Sequence, residues 1–221
     1  PASYAFDTLT QRSLDAADVL VLQDVPMTDA GAMGRVRNHL LQGKPALVFL
    51  GAALDVASLN AVDWLPVTSA GVRSYADPQR VRPAHLSQAQ SDARGATPSD
   101  AVFGLFDDAA WDEGGAPSVY TAHDLTARAD AVVLARLTDG APFVVASDVG
   151  GGKLIMVNTP GARSDWSDMA LQPAFLPLVQ QLVFYGSTPD ARPTRSLLVG
   201  ERFTRVLRPT ASRLVNISDG V

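Results

Sequence analysis

Residues 142–185, PFVVASDVGGGKLIMVNTPGARSDWSDMALQPAFLPLVQQLVFY, carry the densest set of fold-determining signals in this chain of 221 residues. Two apolar segments flank the glycine-rich turn at residues 148–152, a pattern that predicts a β-hairpin. A loop at residues 165–168 follows. Apolar residues at helical spacing from Pro173 onward, with Gly186 placed to end the run, then predict an amphipathic helix. We expect these elements to pack as one unit.

Outside this stretch the composition excludes several classes of function. The chain has 18 Lys+Arg against 23 Asp+Glu, a net charge of -5, and its basic residues are scattered. Nucleic acid is therefore not an expected partner. The absence of cysteine excludes disulfides, thiolate zinc sites and cysteine nucleophiles. No apolar run approaches the roughly 18 residues of a membrane helix, so we expect no direct membrane insertion by these residues. No cofactor and no metal is predicted.

The first third of the chain predicts parallel βαβ organisation. Residues 18–23 (DVLVLQ) and 46–50 (ALVFL) are short apolar runs typical of strands that are buried on both faces. Each is followed by a helical pattern, the first beginning near Asp29 and ending at Gly43, and the second beginning near Asp55. A strand–helix–strand–helix order at this spacing predicts a sheet covered by helices on both faces.

The middle and the end of the chain are less regular. Residues 66–115 lose periodicity, and we expect a partly ordered excursion whose apolar patch at residues 103–106 packs against the core. Strand patterns return at 118–121 and 131–137, so residues 131–158 predict three successive antiparallel strands. Residues 1–187 are therefore interpreted as one domain. Residues 188–221 are interpreted as a linker and β-strand tail that either joins this sheet or begins a following β domain.

Two glycine-rich sites resemble catalytic motifs. Gly150-Gly151-Gly152-Lys153 suggests a phosphate loop, but that loop requires a different glycine spacing and a following helix, whereas a strand follows Lys153. Residues 51–53 lie where an α/β enzyme places its nucleophile, but they are Gly, Ala and Ala. Without a nucleophile, acyl transfer has no starting point. A hairpin turn and a close helix–strand connection are the favoured interpretations.

The ionisable side chains offer few candidates. His39, His85 and His123 share no metal-ligand spacing, and we expect His39 to face solvent. His123 and Asp124 follow a strand and are a candidate acid–base pair, although a loop hydrogen-bond pair is the simpler reading. The acidic residues near Trp111 lack a calcium-loop pattern and are interpreted as a solvated loop; they are Asp107, Asp108, Asp112 and Glu113.

The loop of Asp165, Trp166, Ser167 and Asp168 is the main candidate for a ligand or partner site. It follows a strand and precedes a helix, and α/β proteins often bind ligands at such positions. The structural alternative is that Trp166 packs over the final helix while the two aspartates make turn and capping hydrogen bonds. The residues alone favour this alternative.

The combined pattern resembles a known domain type. RSLDAADVLVLQDVP at 12–26, HLLQGKPALVFLG at 39–51 and the Asp-Trp-Ser-Asp, Pro, Phe, Pro-Leu series at 165–178 are similar to the class I glutamine amidotransferase-like domain of large bacterial membrane proteins. Those proteins combine a BatA-like membrane segment with a von Willebrand factor A domain. The resemblance covers residues 14–185. It carries over no catalytic residue, because the nucleophilic cysteine is missing.

The resemblance implies an α/β fold, namely a flavodoxin-like three-layer sandwich with an antiparallel hairpin extension and a C-terminal β segment. It also implies a membrane-anchored parent protein with this domain outside the cytoplasm. We therefore expect a noncatalytic protein-interaction or ligand-sensing module whose partners are other domains of the parent chain or envelope proteins. Two alternatives stay open. One is a hydrolase or transferase using His123, Asp124 and Asp165, and the other is a cell-envelope structural or carbohydrate-binding module.

Overall fold

The computed structural model describes residues 10–84, 98–106, 111, 115–162 and 164–187. Seven strands form a single sheet with the order β1-β2-β7-β6-β5-β3-β4. A 3₁₀ helix, Met169–Leu171, precedes the last α-helix. The elements in chain order are α1 Gln11–Asp15, β1 Leu20–Gln23, α2 Ala30–Leu41, β2 Ala46–Phe49, α3 Val56–Ala61, β3 Val67–Pro83, α4 Pro98–Phe103, β4 Ser118–Ala127, β5 Val132–Leu137, β6 Pro142–Val149, β7 Gly152–Val157 and α5 Phe175–Ser187.

The parallel part of the sheet consists of β1, β2 and β7. The strand–helix–strand order of β1, α2 and β2 confirms the predicted parallel unit. Both helices begin where the sequence indicated: the Asp29 carboxylate accepts a hydrogen bond from the Ala32 N–H, and the Asp55 carboxylate accepts one from the Ser58 N–H. These side chains satisfy backbone donors that a helix start leaves unpaired.

The antiparallel part begins with β5, β6 and β7, which pair in succession as predicted. Gly150 has a φ of +63° in the turn between β6 and β7, which confirms the hairpin interpretation of the Gly-Gly-Gly-Lys run. Gly152 is needed for a different reason. A Cβ at this position would lie 2.5 Å from the carbonyl oxygens of Leu40 and Lys44, so the hairpin approaches the end of α2 through bare backbone.

The excursion predicted over residues 66–115 is partly wrong, because β3 occupies 17 of these residues and pairs with both β4 and β5. Its middle is exposed on both faces and carries two register shifts, which hides the two-residue period in the sequence. The expected docking of the aromatic patch is confirmed. Phe103 is buried and Phe106 packs against the same core. His85, the predicted acidic loop residues and the predicted tail at 188–221 lie outside the described residues.

Asn158 shows that the sheet is curled. Three strands separate β4 from β7 in the sheet order, which in a flat sheet corresponds to about 19 Å. Asn158 directly follows β7, yet its side-chain oxygen accepts a hydrogen bond from the His123 N–H of β4 at 3.0 Å. Its amide nitrogen donates to the carbonyl oxygens of His123 at 2.8 Å and Pro142 at 3.3 Å. The sheet therefore bends back on itself until β4 approaches the end of β7.

The predicted flavodoxin-like three-layer sandwich is therefore wrong. Such a fold has a parallel sheet with a helix after each strand, whereas here the seven-stranded sheet is mixed and parallel pairing is confined to β1, β2 and β7. In the described part of the chain, only α2 and α5 are longer than six residues. Sequence periodicity missed this because a short apolar strand looks the same in parallel and antiparallel pairing.

Two hydrophobic clusters stabilise the two faces of the sheet. One joins the sheet to α4 and α5 and contains Phe103, Phe143 and Leu178. The other joins it to α1, α2 and α3 and contains Leu14, Leu40 and Leu59. Across the described residues, no helix combines the length and the apolar character needed to span a membrane.

We expect Asn158→Ala to lower the free energy of unfolding by about 2 to 4 kcal/mol, because it leaves the buried N–H and C=O of His123 without partners. Urea denaturation measures this change. Asn38→Ala, at an exposed position of α2, is the matched control and should change stability by less than about 0.5 kcal/mol. A similar small effect at Asn158 would contradict the closing role assigned to its side chain.

Candidate functional site

The carboxyl ends of the parallel strands β1, β2 and β7 meet at one edge of the sheet, the position where open α/β sheets bind ligands. Five residues from these ends, from β4 and from the loop before α5 come together here. We name them the sheet-end cluster: Asp24, Gly51, His123, Asn158 and Trp166.

Asp24 and Gly51 are mutually dependent. Asp24 has a φ of +48°, an uncommon conformation for a residue with a side chain. Its carboxylate accepts a hydrogen bond from the Ala53 N–H at 2.9 Å and lies against the Cα of Gly51. A Cβ at residue 51 would be 2.4 to 2.9 Å from the atoms of that carboxylate. The absence of a side chain at Gly51 therefore makes room for Asp24.

His123 lies at the centre of the cluster and is only 1% exposed. Its Nε2 is 3.0 Å from the Gly51 carbonyl oxygen, a contact that requires the ring proton to be on Nε2. The Trp166 ring covers the imidazole, with 5.1 Å between the ring centroids. The buried Nδ1 has no hydrogen-bond partner among the described residues. The imidazole is thus held in one orientation and shielded from solvent.

The environment of His123 favours the neutral ring. Burial lowers the pKa of His123 below its ordinary value of 6.5, and the Gly51 carbonyl and the Asp24 carboxylate offset part of this effect. The carboxylate that acts on the ring is therefore Asp24, which the sequence did not suggest as a partner. Burial likewise lowers the pKa of His39, which bonds through Nε2 to the Pro45 carbonyl.

The loop of residues 165–168 fastens onto the outer edge of β4. The Trp166 carbonyl accepts hydrogen bonds from the N–H groups of Tyr120 at 2.8 Å and Thr121 at 3.1 Å. The Asp168 carboxylate accepts one from the Ser118 N–H at 2.7 Å. Ser167 and Thr159 pair through their buried hydroxyls at 2.7 Å. Of the four predicted loop residues, only Asp165 is exposed.

The structure does not bring the predicted catalytic residues together. Neighbouring residues of a strand point to opposite faces, and Asp124 binds Arg73 at 2.8 Å on the face away from the His123 ring. Asp165 is exposed to solvent. The prediction that His39 faces solvent is wrong, because the chain reversal after α2 folds Pro45 back over the ring, which is fully buried.

Sequence reasoning also missed Asn158. A polar residue directly after a run of buried apolar residues, as in Leu154-Ile155-Met156-Val157-Asn158, is the signal that could have marked it. Among the residues that the structure describes, no group of three or more His, Cys, Asp or Glu side chains is arranged to hold a metal ion.

Comparison with known proteins defines the fold and leaves the activity open. No protein-family model matches the sequence. No curated protein matches it either. The solved structure of Cytoplasmic Protein STM3548 from Salmonella typhimurium is similar, with a TM-score of 0.61 and 15% identity over 80% of this chain and 74% of that one. Cytoplasmic Protein STM1381 of the same species gives a TM-score of 0.51 at 15% identity, covering 80% of this chain and 73% of that one.

A cold-adapted β-galactosidase from Rahnella gives a TM-score of 0.49 at 16% identity, and the similarity covers 76% of this chain but 22% of the enzyme. A similarity of this size carries no functional argument. The two Salmonella proteins share the fold with this chain, and the chemistry must be argued from the sheet-end cluster itself.

Gly51→Ala should lower the free energy of unfolding by about 1 to 3 kcal/mol, because the new methyl group collides with the Asp24 carboxylate. The cost should be smaller in an Asp24→Gly background, where the colliding carboxylate is absent, and a double-mutant cycle by urea denaturation measures this coupling.

Gly34→Ala is the matched control for this cycle, since a Cβ there meets nothing within 4 Å and the residue lies inside α2. It should raise the free energy of unfolding by about 0.5 to 1 kcal/mol. Equal effects of Gly51→Ala in the two backgrounds would contradict the contact between residues 24 and 51.

The protein should lose stability as the pH falls below about 6.5, the ordinary histidine pKa in an unfolded chain. Because burial lowers the pKa of His123 and His39 in the folded state, the unfolded chain binds more protons in this range. Stability is therefore complete above that pH and declines until the folded-state pKa values are passed.

Urea denaturation between about pH 7.5 and 5 measures this slope. His123→Gln should reduce the slope, and His39→Gln should reduce it separately, so the double variant should be flattest. An unchanged slope in His123→Gln would show that the ring is not buried in its neutral form.

Proposed function

We propose that this domain is a noncatalytic protein-interaction or ligand-sensing module. The observation that carries the proposal is the closed sheet end, where Trp166 covers the His123 ring. The groups that an α/β enzyme would offer to a substrate at this edge are engaged within the chain. The His123 Nε2 binds the Gly51 carbonyl, and the Ala53 N–H binds Asp24.

The chemistry of the cluster supports the same proposal. A general base acts on a hydroxyl or water within hydrogen-bond reach. In the described residues no side-chain hydroxyl hydrogen-bonds to the His123 ring, whose nitrogens contact the Gly51 carbonyl and a dry interior. The cluster instead links β1, β2, β4 and the 165–168 loop, which is a structural task.

The outer face of α5 supports the interaction part of the proposal. Leu176 and Phe184 lie on the same side of this helix at a spacing of two turns, and they are 64% and 63% exposed. Leu171 in the preceding 3₁₀ helix is exposed to the same degree. Exposed apolar side chains that recur along one surface are typical of a contact surface for another protein.

The partner expected from the sequence resemblance, another domain of a membrane-anchored parent chain or an envelope protein, belongs to the same proposal, as does a position outside the cytoplasm. An anchored parent would hold the α5 face close to its partner, and tethering raises the effective concentration of even a weak contact.

The domain should give no rate above buffer with glutamine, p-nitrophenyl acetate or p-nitrophenyl glycosides, because the sheet end offers neither an activated nucleophile nor an open pocket. Ammonia release and p-nitrophenol absorbance measure these activities. His123→Gln is assayed beside the wild type, with circular dichroism to confirm that both are folded.

Asp165→Asn is the matched control, since it changes the exposed member of the loop and leaves the His123 ring untouched. A rate that is present in the wild type and in Asp165→Asn but absent from folded His123→Gln would overturn the noncatalytic proposal in favour of a hydrolase.

A further inference from the structure

An open groove lies on the opposite side of the sheet from the sheet-end cluster in strand order, where β3 ends beside β5. It has a volume of about 610 Å³ and is lined by the end of β3, by β5 and by the turn into β6. Its polar lining comes from Arg82, Arg136 and Thr138, and its apolar wall includes Val133 and Leu137. The volume lies within the range of about 300 to 1,000 Å³ that is usual for small-molecule sites.

Two arginines face each other across this groove. Arg82 of β3 and Arg136 of β5 are direct register partners in the antiparallel pair, so their side chains leave the same face of the sheet. Directly opposed residues have Cβ atoms about 4.5 to 5.5 Å apart, and like charges in this position repel each other. Both arginines are exposed. The pairing is therefore unfavourable unless an anion lies between the two guanidinium groups.

Nothing acidic lines the groove within the described part of the chain. The nearby turn carries Asp139, but its carboxylate is committed elsewhere. It accepts a hydrogen bond from the Ala141 N–H at 2.9 Å and pairs with Arg73 at 3.5 Å. The positive charge of the two opposed arginines is thus not balanced by a carboxylate in the groove wall.

The guanidinium groups are suited to an oxyanion. Arg136 donates one hydrogen bond to the Gly140 carbonyl at 2.9 Å, which fixes the orientation of its side chain. A guanidinium carries several N–H donors in a planar fork, so one contact within the chain does not exhaust it. Two such forks match the charge and the several acceptor oxygens of a phosphate group better than those of a single carboxylate.

We propose that the groove between β3 and β5 binds the phosphate group of a small phosphorylated ligand through Arg82 and Arg136. The apolar wall formed by Val133 and Leu137 accommodates the remainder of that ligand. The proposal rests on the ligand-sensing form of the proposed function and gives it a ligand class. It involves a surface separate from His123, so neither site requires the other.

The test is an NMR titration of the ¹⁵N-labelled domain at about pH 7.5, where phosphate monoesters are mainly dianionic. Inorganic phosphate, glycerol 3-phosphate and acetate are each added at constant ionic strength set with NaCl. We expect saturable shifts of the Val133, Arg136, Thr138 and Gly140 amides with both phosphates. Acetate should bind at least about tenfold more weakly, because it has one charge and fewer acceptors.

Arg136→Gln should weaken phosphate binding about tenfold or more, since it removes one of the two charged forks. Arg82→Gln provides a second variant with the same expected loss. Arg37→Gln is the matched control, because Arg37 is an exposed arginine of α2 outside the groove, and it should keep the wild-type affinity. Thermal melting confirms folding, and phosphate should raise the melting temperature of the wild type more than that of Arg136→Gln.

The outcomes separate the possible ligands and the two proposals. Tighter binding of glycerol 3-phosphate than of inorganic phosphate supports a larger phosphorylated ligand, and equal binding identifies free phosphate as the ligand. Shifts that do not saturate, or that Arg37→Gln weakens as much as Arg136→Gln, overturn the groove site. That result leaves the noncatalytic proposal standing, whereas a His123-dependent rate refutes the latter whatever phosphate does.

Discussion

The structure depends on one buried amide. Asn158 stands at the end of β7 and binds the main chain of His123 on β4 through both its oxygen and its nitrogen. A side-chain amide can act in this way as a short substitute for a strand edge, because it offers one acceptor and two donors in a plane. Since the interior around it is dry, the main-chain groups that it satisfies would be costly to leave unpaired. The curl of the sheet and the position of His123 both follow from this contact.

Once β4 is held there, the sheet end fills with the protein's own side chains. The His123 ring meets the Gly51 carbonyl, Trp166 closes over it, and the carbonyl of Trp166 in turn pairs with the edge of β4. Asp24 accepts a strained backbone conformation and occupies the space that Gly51 leaves open. Each contact makes the next one possible. The edge of the sheet that often binds ligands is used here to hold the fold together.

Function is therefore sought on the surfaces that this closure leaves outside. The outer face of α5 presents apolar side chains, and the groove at the end of β3 presents two opposed arginines. The first is suited to a protein contact and the second to a phosphate group. They involve different elements of the chain, so a partner on α5 and a ligand in the groove can be bound independently unless a conformational change couples them.

The sequence by itself determined the local elements. The parallel β1–α2–β2 unit, the caps at Asp29 and Asp55, the hairpin at Gly150 and the amphipathic α5 were all readable, because capping, turn chemistry and periodicity act between near neighbours. The absence of a nucleophile at residues 51–53 was readable for the same reason. Only the tertiary structure decided the mixed, curled sheet, the strand at β3, the burial of His39 and the cluster of Asp24, His123, Asn158 and Trp166. These features depend on contacts between residues far apart in the chain, such as residues 123 and 158, and strand pairing of that kind leaves no periodic signal in either partner.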